Sequence, residues 1–261
     1  MKSFRFITQQ EKMHIDKIFE IQKKKRIRDY KKNKGFLRQI KKINNLFVSN
    51  KYSYNFNWLG TPIIQNPSDM IVVQEIIYQI KPDLIIETGI ARGGSLIFYS
   101  SILNHINKKT KILGIDIDIR KHTKHSLKNH KIKNIITLEG SSISNEIFNK
   151  VRQISKKFKK ILVLLDSIHS HEHVLKELQL YAQLVTKNSY IIVFDTMPSY
   201  SDNKTSNFIK KSHKYKLNRK ANAKTAIDKF LIKEKNFKID EIFNYHSLTS
   251  NCINGFLKKI K

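Results

Sequence analysis

The feature that most limits what this chain can fold into is a series of short apolar runs, each closing on an acid. They are Asp83 to Glu87 (DLIIE), Lys111 to Asp116 (KILGID), Asn134 to Glu139, Lys160 to Asp166 (KILVLLD) and Ser189 to Asp195 (SYIIVFD). Uninterrupted apolar stretches of this length are the pattern of strands buried on both faces of a parallel sheet. Helical stretches separate them. Asn66-Pro67-Ser68-Asp69 is a helix-start signal for a helix to about Gln79, and Leu96 to Ile106 and His171 to Val185 read likewise. A helix over Ala221 to Lys235 and two last strands, near Phe237 to Ile242 and Cys252 to Leu257, complete the pattern. Strands alternating with helices require βαβ units, so the expected fold is a doubly wound, mostly parallel α/β sheet. The polar, basic segment 197–220 shows no clear element and reads as a long substrate loop.

Composition narrows the class. With 261 residues, 40% of them hydrophobic, the chain can bury a real core and is not disordered. Its single cysteine, Cys252, excludes a disulfide scaffold and a thiolate metal cluster. The start, MKSFRFITQQEKMHID, shows no apolar signal-peptide core, and no apolar run approaches ~18 residues, so a cytoplasmic protein is expected. Lys and Arg number 50 against 21 acids, a formal charge of +29. Lysine is spread along the chain together with Ile and Asn, as an A/T-rich coding bias would produce. No RNA-recognition aromatic signature or Cys/His finger spacing accompanies it, so a nucleic-acid partner is not expected. Residues 1–57 differ in texture. Lys23-Lys24-Lys25-Arg26, Arg28, Lys31, Lys32 and Lys34 mix with apolar residues at roughly helical spacing, giving one or two basic helices around Gly35. This arm is expected to pack on the main domain or a partner subunit, or to touch an anionic membrane surface at the inner face.

In a doubly wound sheet, ligands bind beyond the carboxyl ends of the strands. Those ends carry Glu87, Asp116, Glu139, Asp166 and Asp195. After the first, Glu87-Thr88-Gly89-Ile90-Ala91-Arg92-Gly93-Gly94-Ser95 is a glycine turn that lets main chain approach a ligand. Ala91 stands where the dinucleotide fingerprint needs its second glycine, and no G-K-[ST] follows, so neither that fingerprint nor a Walker loop is present. Glu-Thr-Gly followed by Gly-Gly-Ser looks like the variant of S-adenosylmethionine-dependent methyltransferases, in which an acid faces the cationic amino-acid part of the donor. Asp116 can accept from ribose hydroxyls, and Gly140-Ser141-Ser142 would meet the adenine. Asp166 and Asp195, on adjacent strand ends, can share one hard cation such as Mg²⁺. A cation there would lower the pKa of an acceptor hydroxyl, and His169 is placed to take its proton. His169, His171 and His173, at alternate positions entering a helix, cannot all face one zinc ion, and His171 and His173 read as surface or capping residues.

WLGTPIIQNPSD, PDLIIETGIARGGS, GIDIDIR, LEGSS, VLLDSIHSHEHVLKELQLYAQLVTKNSYIIVFDT and AKTAIDKFL together resemble the cephalosporin hydroxylase / rhamnosyl O-methyltransferase family. The resemblance runs from Trp58 to about Leu257, making 58–261 the expected catalytic domain. It implies a seven-stranded Rossmann-like methyltransferase sheet and Mg²⁺-assisted methyl transfer from S-adenosylmethionine to a hydroxyl. The acceptor is expected to be a small molecule, glycan or glycolipid, and the protein a homo-oligomer. Carried over by residue, it puts Glu87, Thr88, Gly89, Ala91, Gly93, Ser95, Asp116, Ser141, Ser142 and Asp166 on the donor. Asp166 and Asp195 fall on the metal, with His169 and Asp166 catalytic. One departure stands out: Phe194 replaces a glutamate found in some metal-dependent members, and water or Thr196 would have to serve instead. An RNA methyltransferase and a non-catalytic binding or assembly protein are the competing readings; a 2-oxoglutarate hydroxylase is disfavoured, because its iron triad sits on a β-barrel.

Overall fold

The computed structural model describes residues 8–212 and 217–261. The first seven residues of the arm and residues 213–216 of the long basic segment lie outside them.

Two helices form the arm. Helix α1 (Gln9–Lys32) starts at a capping box, in which the Thr8 hydroxyl accepts from the Glu11 amide and the Glu11 carboxylate accepts from the Thr8 amide. Asn33 then ends α1 and caps α2 (Lys34–Ser49) through the Phe36 amide. Helix α2 is pinned to the body by Asn44, whose amide donates to the Leu248 carbonyl at 3.0 Å, and by Asn45, which accepts from the Asp202 amide at 2.8 Å. A small hairpin, β1 (Phe56–Trp58) with β2 (Thr61–Ile63), follows; Trp58 donates to Ser101 and meets Phe98 edge-on.

The main sheet holds β3 (Leu84–Thr88), β4 (Lys111–Asp116), β5 (Ile135–Glu139), β6 (Ile161–Leu165), β7 (Tyr190–Val193), β8 (Phe237–Ile239) and β9 (Phe256–Lys259). Their order is β5-β4-β3-β6-β7-β9-β8, parallel through β7, with β9 antiparallel to both neighbours. The expected seven-stranded, doubly wound sheet is therefore observed. Helices α3 (Pro67–Ile80), α4 (Gly94–Ile106), α5 (Lys121–Asn129), α6 (Asn145–Ser155), α7 (His171–Tyr181) and α9 (Ala223–Lys233) connect the strands. The core divides into two layers. One joins Leu84, Ile86 and Val163 to residues of α6, α7 and α9; the other joins Ile85, Leu162 and Ile192 to residues of α3 and α4. This division follows from the alternation of side chains along strands buried on both faces. Among the described residues, no helix is long and apolar enough to cross a membrane.

Three expectations are corrected. The segment 197–220 contains a 3₁₀ turn (Met197–Tyr200) and a helix, α8 (Asn203–Ser212). Asp202 caps the start of α8 by accepting from the Thr205 amide, while Thr205 and Ile209 bury one side. Strand β8 stops at Ile239 because Asp240 caps α10 (Glu241–His246), accepting from Ile242. Strand β9 starts at Phe256, four residues later than expected, because Ser250 to Gly255 form a buried turn. There Asp69 accepts from the hydroxyls of Ser247 and Ser250 and from the Asn251 amide.

The register brings the carboxyl ends of β3 and β6 level, Thr88 opposite Leu165, and the Asp166 amide donates to the Thr88 carbonyl at 2.8 Å. Gly89 turns away at φ +83°, a left-handed conformation, and a Cβ on it would overlap the Asp166 backbone. The Gly89→Ala variant is therefore expected to lose on the order of 3–5 kcal/mol of stability, through strain and overlap together. Denaturant unfolding measures it, and a loss under about 1 kcal/mol would show that the two turns can separate.

Candidate active site

A cavity of about 420 Å³ opens over the carboxyl ends of β3, β6 and β7. Its floor is the glycine turn, with Gly89, Ala91 and Ser95, together with Asp166, Ser167, His169 and Asp195. The turns after β6 and β7 each carry one residue in left-handed backbone, His169 at φ +60° and Asp195 at φ +53°. These turns aim both side chains inward. His169 Nε2 lies 3.2 Å from Asp195 Oδ2 and 3.9 Å from Asp166 Oδ1. Thus the three residues expected to carry metal and proton chemistry do converge.

Charge concentrates at this point. Burial pushes the Asp166 carboxyl well above the usual carboxylate range, and the negative charges of Asp195 and Glu87 push it further. A cation between Asp166 and Asp195 would relieve that repulsion. Among the described residues, no set of three or more His, Cys, Asp or Glu side chains forms a metal cage. Two carboxylate oxygens, with water and substrate oxygens completing the shell, are nonetheless a donor set that suits Mg²⁺. Phe194 is 3% exposed within the core, so it leaves that shell without a third carboxylate. Thr196 does not replace it: its hydroxyl donates to the Asn251 and Ile253 carbonyls, which holds the Asp195 turn against the C-terminal segment.

The remaining candidates sort by where their side chains go. Glu87 is buried beneath the glycine turn instead of facing the cavity, and it accepts from Ser95 Oγ at 2.7 Å and Tyr99 Oη at 2.8 Å. Thr88 is also fully buried. Gly93, at φ +83°, is the N-cap of α4 and packs toward Thr123. Asp116 Oδ2 accepts from the amides of Ile90 and Ala91 at 2.9 and 3.1 Å, so its first task is to shape the glycine turn. Ser142 donates to Glu177 at 2.7 Å, while neighbouring Ser141 stays half-buried at the turn. Glu139 belongs to the surface, paired with Lys124 at 2.9 Å. His173 is not a surface residue: its Nε2 meets Ser142 Oγ at 3.1 Å inside the same polar cluster. His171 reaches Thr225 on α9. The three histidines therefore point to three places, as expected against zinc.

The far wall combines the segment 197–220, expected as the substrate loop, with part of the arm, which was not expected there. Phe47 and Val48 of α2, with Lys51 and Tyr54 just beyond it, line the cavity opposite the carboxylates, joined by Phe208 and Ile209 of α8. Tyr54 is 58% exposed as a residue, yet partial burial, then the charges of Asp195 and Asp166, hold its hydroxyl above the ordinary phenol range. Gln65 also lines the cavity; its Nε2 lies 3.5 Å from both Asp166 Oδ2 and Tyr99 Oη. No motif marks these residues, because wall positions need shape and polarity and tolerate many side chains.

Burial holds Glu87 at about 8 instead of its ordinary 4.5, and the Asp116 charge adds to the rise against the lowering by Ser95 and Tyr99. Folding therefore takes up a proton. The stabilising contribution is complete below 4.5 and is lost as pH rises through about 8. The Glu87→Gln variant is expected to flatten the fall in melting temperature across that window, measured by thermal unfolding of the ligand-free protein. A slope equal to that of the wild type would remove Glu87 as its source.

Comparison with known proteins fits this geometry. Residues 50–260 match the family model described as Rhamnosyl O-methyltransferase/CmcI. A rhamnosyl O-methyltransferase of Mycobacterium leprae (strain TN) is 32% identical over 140 residues, covering 53% of this chain and 59% of its own length. One from Mycobacterium tuberculosis (strain ATCC 25618 / H37Rv) is 29% identical over 140 residues, covering 53% of this chain and 56% of its own length. The chain's matched part thus spans under two thirds of these relatives. A CmcI structure described with Mg and SAM aligns at a TM-score of 0.59 and 16% identity, covering 80% of this chain and 78% of that one. A putative caffeoyl-CoA O-methyltransferase structure from Staphylococcus aureus aligns at 0.50 and 16%, covering 84% and 92%. At these identities the two structures show the shared fold, and the match over 50–260 shows the family: the chain belongs to the rhamnosyl O-methyltransferase/CmcI family.

Proposed function

We propose that this protein is an S-adenosylmethionine-dependent, Mg²⁺-assisted O-methyltransferase acting on a sugar hydroxyl of a glycan, glycolipid or secondary metabolite. The observation that carries the reading is the convergence of Asp166, Asp195 and His169 on one cavity whose floor is the Gly89–Ser95 turn. The relatives named rhamnosyl O-methyltransferases and the CmcI structure described with Mg and SAM support it.

When bound, the donor supplies a sulfonium methyl group and Mg²⁺ makes the acceptor hydroxyl more acidic. The protein's own residues do the remainder. Gly89, Ala91 and Ser95 present close backbone to the donor, with Asp116 fixing the turn from behind. Asp166 and Asp195 would hold the cation. His169 Nε2 would take the proton that the acceptor hydroxyl gives up on methylation. In the ligand-free protein this nitrogen faces Asp195 at 3.2 Å. Displacement in line needs alignment more than covalent chemistry, so holding the reactants in register supplies much of the rate. The donor half of the site belongs to the 58–261 domain, and the arm supplies part of the acceptor wall through Phe47, Val48 and Tyr54.

The test is transfer of an isotope-labelled methyl group from S-adenosylmethionine to rhamnose-bearing glycolipids and free rhamnosides, followed by mass spectrometry. The His169→Ala variant is expected to lose about 10²-fold or more in turnover while its donor affinity is preserved. Wild-type turnover in this variant would remove the base assignment. The Asp195→Asn variant is expected to need more Mg²⁺ for half-maximal rate, and a wild-type rate indifferent to chelator would remove the metal role.

A further inference from the structure

Helix α1 divides into two chemically different halves. Its second half is fastened to the body: Ile27, alone among α1 residues, is buried, Lys23 reaches Glu75 at 3.6 Å, and Lys31 reaches Glu241 at 2.7 Å. Residues 13–21 of the helix leave five large apolar side chains in solvent: Met13 is 60% exposed, Ile15 54%, Ile18 42%, Phe19 56% and Ile21 59%. Ile15, Ile18 and Phe19 are spaced i, i+3 and i+4, so they share one face. Apolar side chains clustered this way on a surface usually mark a contact.

The charge beside them says what that contact is with. From Lys23 to Lys34 the chain carries Lys23, Lys24, Lys25, Arg26, Arg28, Lys31, Lys32 and Lys34 against one acid, Asp29. Among the described residues, Lys24, Lys25, Arg26, Arg28 and Lys34 have no carboxylate at ion-pair distance, and Arg26 instead sits over the Phe19 ring at 5.7 Å. A second copy packed symmetrically on this face would bring the same cations of α1 against one another. An anionic surface would meet the same cations favourably.

We infer that α1 docks on an anionic lipid bilayer, with Ile15, Ile18 and Phe19 entering the headgroup–acyl boundary and Lys25 and Arg26, the cations on the same side of the helix, facing lipid phosphates and carboxylates. Neither part suffices alone, since stable interfacial binding takes an apolar and an electrostatic signal together. Helix α1 is joined through Asn33 to α2, whose Phe47 and Val48 wall the cavity. The docked face is thus continuous with the element that shapes the acceptor side. The contact itself does not rest on the methyl-transfer reading; its consequence, that the acceptor is drawn from the bilayer surface, does.

The experiment is co-sedimentation of the full chain with vesicles of phosphatidylcholine alone and with about 30% phosphatidylserine, at about 0.1 M and about 1 M salt. The wild type is expected to pellet only with the anionic vesicles at low salt. Ile15→Ser, Ile18→Ser and Phe19→Ser combined, which leaves the charge unchanged, should weaken partition about tenfold or more. Lys25→Gln and Arg26→Gln combined should do the same. Each variant should keep the wild-type melting temperature. Equal binding to both vesicle types overturns the inference, as does no binding to either. Anionic-vesicle binding that survives the serine substitutions would reduce it to non-specific attraction by the whole surface and also overturns it. A change in oligomer size by light scattering in place of a change in partition would assign the face to a second copy. If methyl transfer fails while the vesicle results hold, only the bilayer origin of the acceptor falls.

Discussion

The structure turns on one close approach, that of the Gly89 backbone to the backbone of Asp166. The parallel pairing of β3 with β6 ends with the Asp166 amide donating to the Thr88 carbonyl, and Gly89 then leaves the strand at φ +83° with no side chain in the way. Everything assigned to the site hangs from that junction. On one side the chain continues into the turn that ends at Ser95; on the other it continues to His169. Gly94 repeats the device, since a Cβ there would overlap the Pro62 backbone, and so the hairpin strand β2 is brought against the start of α4. Two glycines thereby set the spacing between the glycine turn, the Asp166 turn and the β1–β2 hairpin.

Behind the cavity, buried polar groups hold these turns in place. Asp116 gathers the Ile90 and Ala91 amides, Glu87 gathers Ser95 and Tyr99, and Glu177 gathers Ser142 and Ser167 at 2.7 and 2.8 Å. Asp69 performs the same service for the C-terminal turn, and burial raises its carboxyl to about 6. Thr196 passes that anchorage to the Asp195 turn through Asn251. Four of the five acids at strand ends thus divide into two tasks, Glu139 staying at the surface. Asp166 and Asp195 face the cavity, whereas Glu87 and Asp116 build the backbone that faces it. A buried acid can be kept for geometry at a cost in stability, because each unmade hydrogen bond would cost about 1–3 kcal/mol.

Much of this was legible in the sequence for a physical reason: strands buried on both faces must be continuously apolar, so DLIIE, KILGID and KILVLLD announce themselves. Asp166, His169 and Asp195 were legible because they follow such runs directly. What was hidden is equally explicable. Helix α8 carries its stability in an Asp202 cap and two buried side chains within a lysine-rich stretch, which reads as loop. Strand β8 ends at Ile239 because of Asp240, a cap that looks like any surface acid. Whether an acid such as Glu87 or Glu139 faces inward, a cavity or a lysine is a matter of rotamers and neighbours, and spacing along a chain carries no record of it. Tyr54 belongs to an arm that the composition set apart, although the fold brings it opposite the carboxylates.

The proposed function requires the cavity to take a sulfonium donor beside a cation held by Asp166 and Asp195. Isothermal titration of the protein with S-adenosylhomocysteine, in Mg²⁺ and then in chelator, tests that claim most directly. Saturable binding at micromolar affinity, about −8 kcal/mol, is the predicted result. Absence of binding by protein that still unfolds cooperatively would contradict it, and would mean that the family fold is kept here without the donor chemistry.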